Sequence, residues 1–442
     1  MIGGTQGGRK VSMLHGLIGF EAVSFDSPML YGEGVIRVQH GSALKVYRAG
    51  AVLMSLRVVV SAGEVSGDRH LARVVSVLRA RVPDVEIRGM AGAECEAAGV
   101  ELLVDCYRTG STMGFGDVLR SAGKILSAFS AMSRLIKEWK PDVLVLVDYP
   151  DFNMRLAKVA RSAGVRVLYY IPPKVWAWRA GRVEQIKRSV DRVAAIFPFE
   201  PAFFEKRGYD NVTYVGHPLG DRVEPLSAAR EESLLLLPGS RRSEVERILP
   251  PMLRVFEHLA ASRSGLMGRV VVAPNMSIDW LEGLARGVIS EGALSRISWI
   301  KGDSLQEMRK AAAGILKSGT CNLEGAVAGL PFVSVYSGSS LSKVIASALV
   351  PLKEYSPVNI MRPGTVREVF GVTIDEAELE RQVGALLDPG PARVEMINAL
   401  SEVRESLRVE TGRDGGANVP ERVANLVVAI AQGDSLLNGK GA

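Results

Sequence analysis

From Leu56 onward the chain alternates short apolar runs with longer stretches in which apolar residues recur at helical spacing. Leu56-Arg57-Val58-Val59-Val60 predicts a strand, and a helix is expected over roughly 68–81. Pro83-Asp84 turns the chain into a second strand over 85–90, and a long helical region is expected from about 115 to 139. Lys140-Pro141-Asp142 then breaks into Val143-Leu144-Val145-Leu146-Val147-Asp148, the clearest buried strand in the sequence. Strands over 165–171, 192–197 and 212–218 finish a first half, and the polar stretch 219–232 reads as a linker. A second half repeats the pattern with strands over 234–237, 269–274, 313–320 and 331–336. Asp388-Pro389-Gly390-Pro391 breaks the chain before closing helices that run to about Gln432. Strands alternating with helices in this way predict a parallel α/β architecture. The first 53 residues fall outside the pattern, with no clear periodicity before Val52 and a second methionine, Met54, ahead of the first strand. They read either as a mis-assigned translation start or as a small appended segment.

Two junctions carry the strongest chemical signal. Ser61-Ala62-Gly63-Glu64-Val65-Ser66-Gly67-Asp68 and Leu234-Leu235-Leu236-Leu237-Pro238-Gly239-Ser240-Arg241 each close an apolar strand on a turn of small residues. Such a turn brings backbone N–H groups and a helix N-terminus up to an anion. One in each half predicts two Rossmann-like domains, 54–220 and 221–390, facing each other across a cleft. Residues 391–442 are expected to pack back on the first domain. That architecture suits moving a sugar off a nucleotide.

Composition narrows the partners. The 442 residues are 47% apolar and 23% charged, ordinary for a folded protein, with a net charge of +6. No Lys/Arg run of the kind that tracks a nucleic-acid backbone is present. The basic balance therefore points to a nucleotide diphosphate, a phosphorylated acceptor or an anionic membrane surface. Three cysteines without C-x-x-C spacing and five scattered histidines predict no disulfide framework and no metal site, and fit a reducing cytosol. No apolar run reaches the ~18 residues needed to cross a bilayer, and no secretory signal pattern opens the chain, so any membrane contact is expected to be peripheral.

At the first junction, Glu64 and Asp68 stand at a helix entrance, where negative charge is favoured. Asp68 reads equally as a helix cap. Asp148 ends the strongest strand, where open α/β sheets bind ligands, and suits a general base; Asp151 reads better as a cap. In Pro172-Pro173-Lys174-Val175-Trp176-Ala177-Trp178-Arg179, the rings of Trp176 and Trp178 beside Lys174 and Arg179 suit sugar faces and phosphates, or simply a packed loop. In the second half, Ser240 and Arg241 form an anion seat, Ser318-Gly319-Thr320 repeats the theme, and Glu324 is placed to accept from ribose hydroxyls. The stretch 115–126 mixes apolar and basic residues, fitting either lipid contact or an ordinary core helix.

Taken in order, these motifs resemble the lipid-A-disaccharide synthase family of GT-B glycosyltransferases. The resemblance is carried by Ala62–Asp68, Met113-Gly114-Phe115, Asp148–Asn153, Val175–Arg179, Phe197-Pro198-Phe199-Glu200, Gly216-His217-Pro218, Leu237–Arg241, and Ser318-Gly319-Thr320 with Leu323-Glu324. It implies an inverting transfer, without metal or cofactor, of 2,3-diacylglucosamine from UDP-2,3-diacylglucosamine to 2,3-diacylglucosamine 1-phosphate, giving a β-1,6 link. It also implies an acceptor-side first domain, a UDP-sugar-binding second domain, and action in the cytoplasm at the face of the inner membrane. A homodimer is compatible with it. Asp148 takes the base position by this match, and Ser240, Arg241, Thr320 and Glu324 fall in the UDP region. The family's Leu-Pro-Asn-Ile reads here as Pro357-Val358-Asn359-Ile360, a departure that keeps Asn359 as a substrate-binding candidate. The chain departs from the pattern at Pro172-Pro173-Lys174, at Ser337 and at Val366–Phe370, so its C-terminal third is expected to bind UDP or a second subunit in its own way. The rival readings are another GT-B-like UDP-sugar enzyme, an epimerase or muramyl-pathway transferase, and a non-catalytic nucleotide-binding protein.

Overall fold

The computed structural model describes three strands within residues 23–49, then residues 56–106, 118–177, 180–226, 230–337, 354–409 and 417–433. Strands β1 (Val23–Ser24), β2 (Gly34–His40) and β3 (Ala43–Ala49) form a three-stranded antiparallel sheet. This corrects the expectation of a segment without periodicity. The alternation Val35-Ile36-Arg37-Val38 pairs in register with Lys45–Arg48, a two-residue period that the glycines on either side obscure.

Two parallel sheets make up the rest of the strands. The first has the order β10-β9-β8-β7-β4-β5-β6. Its strands are β4 (Arg57–Ala62), β5 (Glu86–Ala91), β6 (Glu101–Asp105), β7 (Val143–Val147), β8 (Arg166–Tyr170), β9 (Arg192–Ala195) and β10 (Val212–Tyr214). The second has the order β13-β12-β11-β14-β15-β16. It comprises β11 (Glu231–Leu237), β12 (Met267–Val271), β13 (Ile297–Ile300), β14 (Ala311–Lys317), β15 (Phe332–Ser337) and β16 (Arg367–Gly371). The central strands are apolar throughout because helices cover both faces: every residue of β7 is buried. Strands β6, β13 and β16 were not expected. Each borders its sheet, and mixed residues such as Arg367-Glu368-Val369-Phe370 hide the strand pattern where one side is exposed.

The chain order reverses between β4 and β7 in the first sheet and between β11 and β14 in the second. Open α/β sheets bind ligands beyond the carboxyl ends of the strands at such reversals. The first reversal carries Gly63-Glu64 after β4 and Asp148 after β7. The second carries Gly239-Ser240-Arg241 after β11 and Ser318-Gly319-Thr320 after β14.

The closing helices divide between the halves. Helix Pro391–Ser406 packs mainly on helix Thr320–Val327 of the second half, and only its end reaches the first half. The chain then runs beside 214–221, where Tyr214 Oη donates to Ser406 O (2.6 Å) and His217 N donates to Leu407 O (3.0 Å). Helix Val419–Ala431 crosses over to pack against helix Val65–Arg81 and strands β7 and β8. Its capping box (Asn418 with Glu421) and the Asp221 carboxylate accepting from Val419 N fix its start. Among the described residues no helix is long and apolar enough to cross a membrane.

Candidate active site

The end of β7 is held in an unusual backbone conformation. Asp148 (φ 47°) and Tyr149 (φ 48°) are consecutive non-glycine residues in the left-handed region, an arrangement that persists only where its surroundings enforce it. Buried Asn153 does much of that work. Its Nδ2 donates to Asp148 O (2.7 Å), Val147 O (3.2 Å) and Ser61 O (3.3 Å), and its Oδ1 accepts from Ser61 Oγ (2.7 Å). Tyr169 Oη donates to Asp148 O as well (2.8 Å). Tyr149 stacks on Phe152 and lies across Gly63, where an added Cβ would fall 2.2 Å from the Tyr149 ring. The two strand ends at the reversal are thereby locked together, with Pro150 opening the next helix.

Four charges converge there. Burial raises the Asp148 carboxyl above its ordinary value, and the Lys174 ammonium and the Tyr149 N–H pull it part of the way back. Glu64, exposed on the cleft wall, is raised by partial burial and then by Asp148, and is opposed by Arg241 and Lys174. Arg241 belongs to the second half, so its field on Glu64 links the two reversals across the cleft. The nearby histidines are neutral at physiological pH. Burial, Arg73 and Arg69 bring His70 down to about 4, and burial, His70 and Lys174 bring His217 to about 3. His217 Nδ1 accepts from Leu219 N (3.1 Å), which places the ring proton on Nε2.

Other expected residues take different places. Asp68 is buried, and its carboxylate accepts from the backbone N–H of Gly92 (2.8 Å), Glu94 (3.1 Å) and Cys95 (3.2 Å). Burial opposes its charge, yet the Cys95 thiol and those N–H groups outweigh it and hold the pKa low. This geometry ties the helix Val65–Arg81 to the turn after β5. The Trp176 indole donates to Glu200 Oε1 (3.1 Å) and packs edge-on against Phe197 and Phe199. Glu200 also accepts from Ile196 N and Phe197 N, and burial pushes it up to about 7. Trp178 and Arg179 lie outside the described residues, as does the stretch 107–117. The helix beyond that stretch, Val118–Trp139, exposes Leu126.

In the second half the helix Arg242–Ser262 starts at the β11 turn without a side-chain cap, so its first N–H groups are open to an anion. Gly239 (φ 114°) requires glycine, and Asn275 Nδ2 holds Ser240 O (3.1 Å). Glu244 draws Arg241 Nη1 (3.2 Å) and Lys317 Nζ (3.4 Å) toward the same turn. Ser318 and Gly319 follow Lys317, and Thr320 begins the next helix. Glu324 Oε2 accepts from Ser304 Oγ (2.7 Å). Asn359 is buried and engaged by its own loop, with Nδ2 donating to Glu368 Oε1 (2.7 Å) and Val366 O (2.9 Å) and Oδ1 accepting from Val366 N (2.8 Å). Those bonds use both amide protons and leave only the second lone pair of Oδ1 for a ligand.

The sequence offers Lys174 as a cation beside the tryptophans but not as a partner of Asp148, and it does not assign Lys317, Asn153, Tyr169 or Ser61 to the site. Lys174 was visible as a cation after Pro-Pro, but its partners come from strands distant in sequence. Among the described residues no cluster of three or more His, Cys, Asp or Glu side chains is arranged to hold a metal ion.

Comparison with known proteins places the chain in a family. The lipid-A-disaccharide synthetase family profile matches residues 58–404. A lipid-A-disaccharide synthase of Trichlorobacter lovleyi is 36% identical over 394 residues, covering 85% of this chain and 98% of that protein. One from Geobacter metallireducens is 38% identical over 390 residues, covering 85% and 97%. Among solved structures, the glycotransferase of kitacinnamycin superposes with a TM-score of 0.56 at 17% identity, covering 85% of this chain and 99% of that one. At that identity the likeness speaks for the fold, the two-domain α/β architecture of GT-B glycosyltransferases. The chain belongs to the lipid-A-disaccharide synthase family.

Proposed function

We propose that the protein transfers 2,3-diacylglucosamine from UDP-2,3-diacylglucosamine to the 6-hydroxyl of 2,3-diacylglucosamine 1-phosphate, with inversion at the anomeric carbon and release of UDP. The observation that carries the reading is a raised carboxylate, Asp148, on a braced left-handed turn, facing a second half whose helix N-terminus gathers Arg241 and Lys317.

The residues divide the work as follows. Asp148 accepts the proton of the acceptor hydroxyl as its oxygen attacks the anomeric carbon. Partial burial makes that carboxylate a stronger base than one in water. Asp148 adds to the rise of the Glu64 pKa, and Lys174 opposes both shifts and so favours the ionised carboxylates. On the donor side, the negative charge that develops on the leaving diphosphate meets the N-terminus of helix Arg242–Ser262, Arg241 and Lys317. Glu324 is left to accept from ribose hydroxyls. We assign Asp68 and Asn359 to positioning, because hydrogen bonds within the fold already engage their side chains. Residues 54–220 serve the acceptor and 221–390 the UDP-sugar, with the protein peripheral to the cytoplasmic face of the inner membrane.

The test is a split between chemistry and binding. Asp148→Asn is expected to lower kcat by about 10²–10⁴ while the Kd for UDP holds. Near-normal turnover in that variant would remove Asp148 from the base position.

A further inference from the structure

A cavity of about 500 Å³ opens on the first half between helix Pro150–Ser162 and the segment that runs from Gly181 into helix Val183–Ser189. Asp151, Arg155, Lys158, Arg182 and Gln185 line it. Positions 151, 155 and 158 are one and then two turns apart, so a single helix face presents all three. Asp151 and Arg182 form an ion pair across the cavity, which holds the guanidinium in place. Arg155 and Lys158 are exposed, and their side chains have no hydrogen-bond or ion-pair partner among the described residues. Three cations against one carboxylate, two of them uncompensated, make a seat for an anion.

Its location says which anion. Helix Pro150–Ser162 begins two residues after Asp148, and the Gly181–Arg182 segment follows β8, whose end lies in register beside β7 (Val147↔Tyr170). The cavity therefore starts at the same sheet edge as the base and extends along the helix. In a hexopyranose the anomeric carbon and the carbon that bears the hydroxymethyl group flank the ring oxygen. With the 6-hydroxyl at Asp148, an anomeric phosphate therefore falls roughly one helical turn away, about 5–7 Å. A phosphate monoester suits an arginine fork backed by a lysine point charge.

We propose that this cavity takes the anomeric phosphate of the sugar acceptor, with Arg155 and Lys158 as its ligands and Arg182, set by Asp151, as the third charge. The assignment rests on the transfer reading above and gives it a specificity element: a sugar 1-phosphate is preferred over the same sugar without phosphate.

The experiment compares two acceptors, 2,3-diacylglucosamine 1-phosphate and 2,3-diacylglucosamine, in neutral detergent micelles. The wild-type chain is expected to use the phosphorylated acceptor with a kcat/KM at least about 10-fold higher. In Arg155→Ala/Lys158→Ala the preference is expected to collapse toward unity, with a raised acceptor KM and a donor KM that holds. A preference that persists in the double variant places the phosphate elsewhere and overturns the proposal. So does a double variant that keeps the preference but no longer sediments with phosphatidylglycerol vesicles, since the cavity would then serve a lipid headgroup. Absence of product from the wild-type chain with either acceptor overturns the transfer reading, and the acceptor assignment falls with it.

Discussion

At the scale of single residues, the site depends on charges that adjust one another. Lys174 lowers Asp148, while burial raises it. As the proposed base Asp148 works ionised, so kcat/KM is expected to fall as pH drops through its raised pKa, above the ordinary carboxylate value near 3.8. Lys174→Met removes the opposing cation and is expected to move that acid limb to higher pH; a limb that stays put or moves down would separate Lys174 from the base. On the donor side, Arg241→Ala and Lys317→Ala are each expected to weaken UDP binding about 10- to 100-fold, the range of a charge-assisted hydrogen bond. Titration calorimetry with UDP reads this directly, and unchanged affinity would take the residue out of the pocket. Asp148 and Arg241 were legible in the sequence because strand ends and helix entrances announce themselves locally. Lys317 was not, because only pairing of β14 beside β11 brings it to Glu244.

At the scale of elements, hydrogen bonds between neighbouring strands and turns hold the site's shape. Asn153 connects the ends of β4 and β7, and Asp68 connects helix Val65–Arg81 to the turn after β5. Asp68→Ala leaves three backbone N–H groups short of an acceptor and is expected to cost about 2–4 kcal/mol, read as a lower denaturant midpoint. The sign with pH follows from its lowered pKa. The carboxylate's contribution is present above the unfolded value near 3.8 and is lost as pH falls through the folded value. The difference between wild type and Asp68→Ala should therefore narrow on acidification. A constant difference would mean that the carboxylate's charge is irrelevant to the tie. The buried central strands were readable because helices on both faces demand unbroken apolar runs. The bordering strands β6, β13 and β16 were not, since half-exposed strands carry charged and aromatic residues that blur the period. For Asp68, sequence spacing alone supported capping and chemistry equally, and only the position of the Gly92–Cys95 turn distinguishes them.

At the scale of the whole molecule, the described residues join the two halves through 214–222 and through helix Val419–Ala431, which packs on the first half. That helix buries Val423, Val427, Leu426 and Ile430 against the first half, at about 1.5–3 kcal/mol for each full burial. A chain ending at 418 is expected to lose a large share of a stability that is typically only about 5–15 kcal/mol. Thermal unfolding checks this, and an unchanged midpoint would show that the crossing is dispensable. The two-sheet plan could be read from repeated strand–helix alternation. The division of the closing helices could not, because their apolar faces do not say which half they meet.

The most direct test of the account is mass spectrometry of the purified chain incubated with UDP-2,3-diacylglucosamine and 2,3-diacylglucosamine 1-phosphate. A tetra-acylated disaccharide monophosphate is expected to appear with an equimolar amount of UDP. UDP binding without any disaccharide would contradict it.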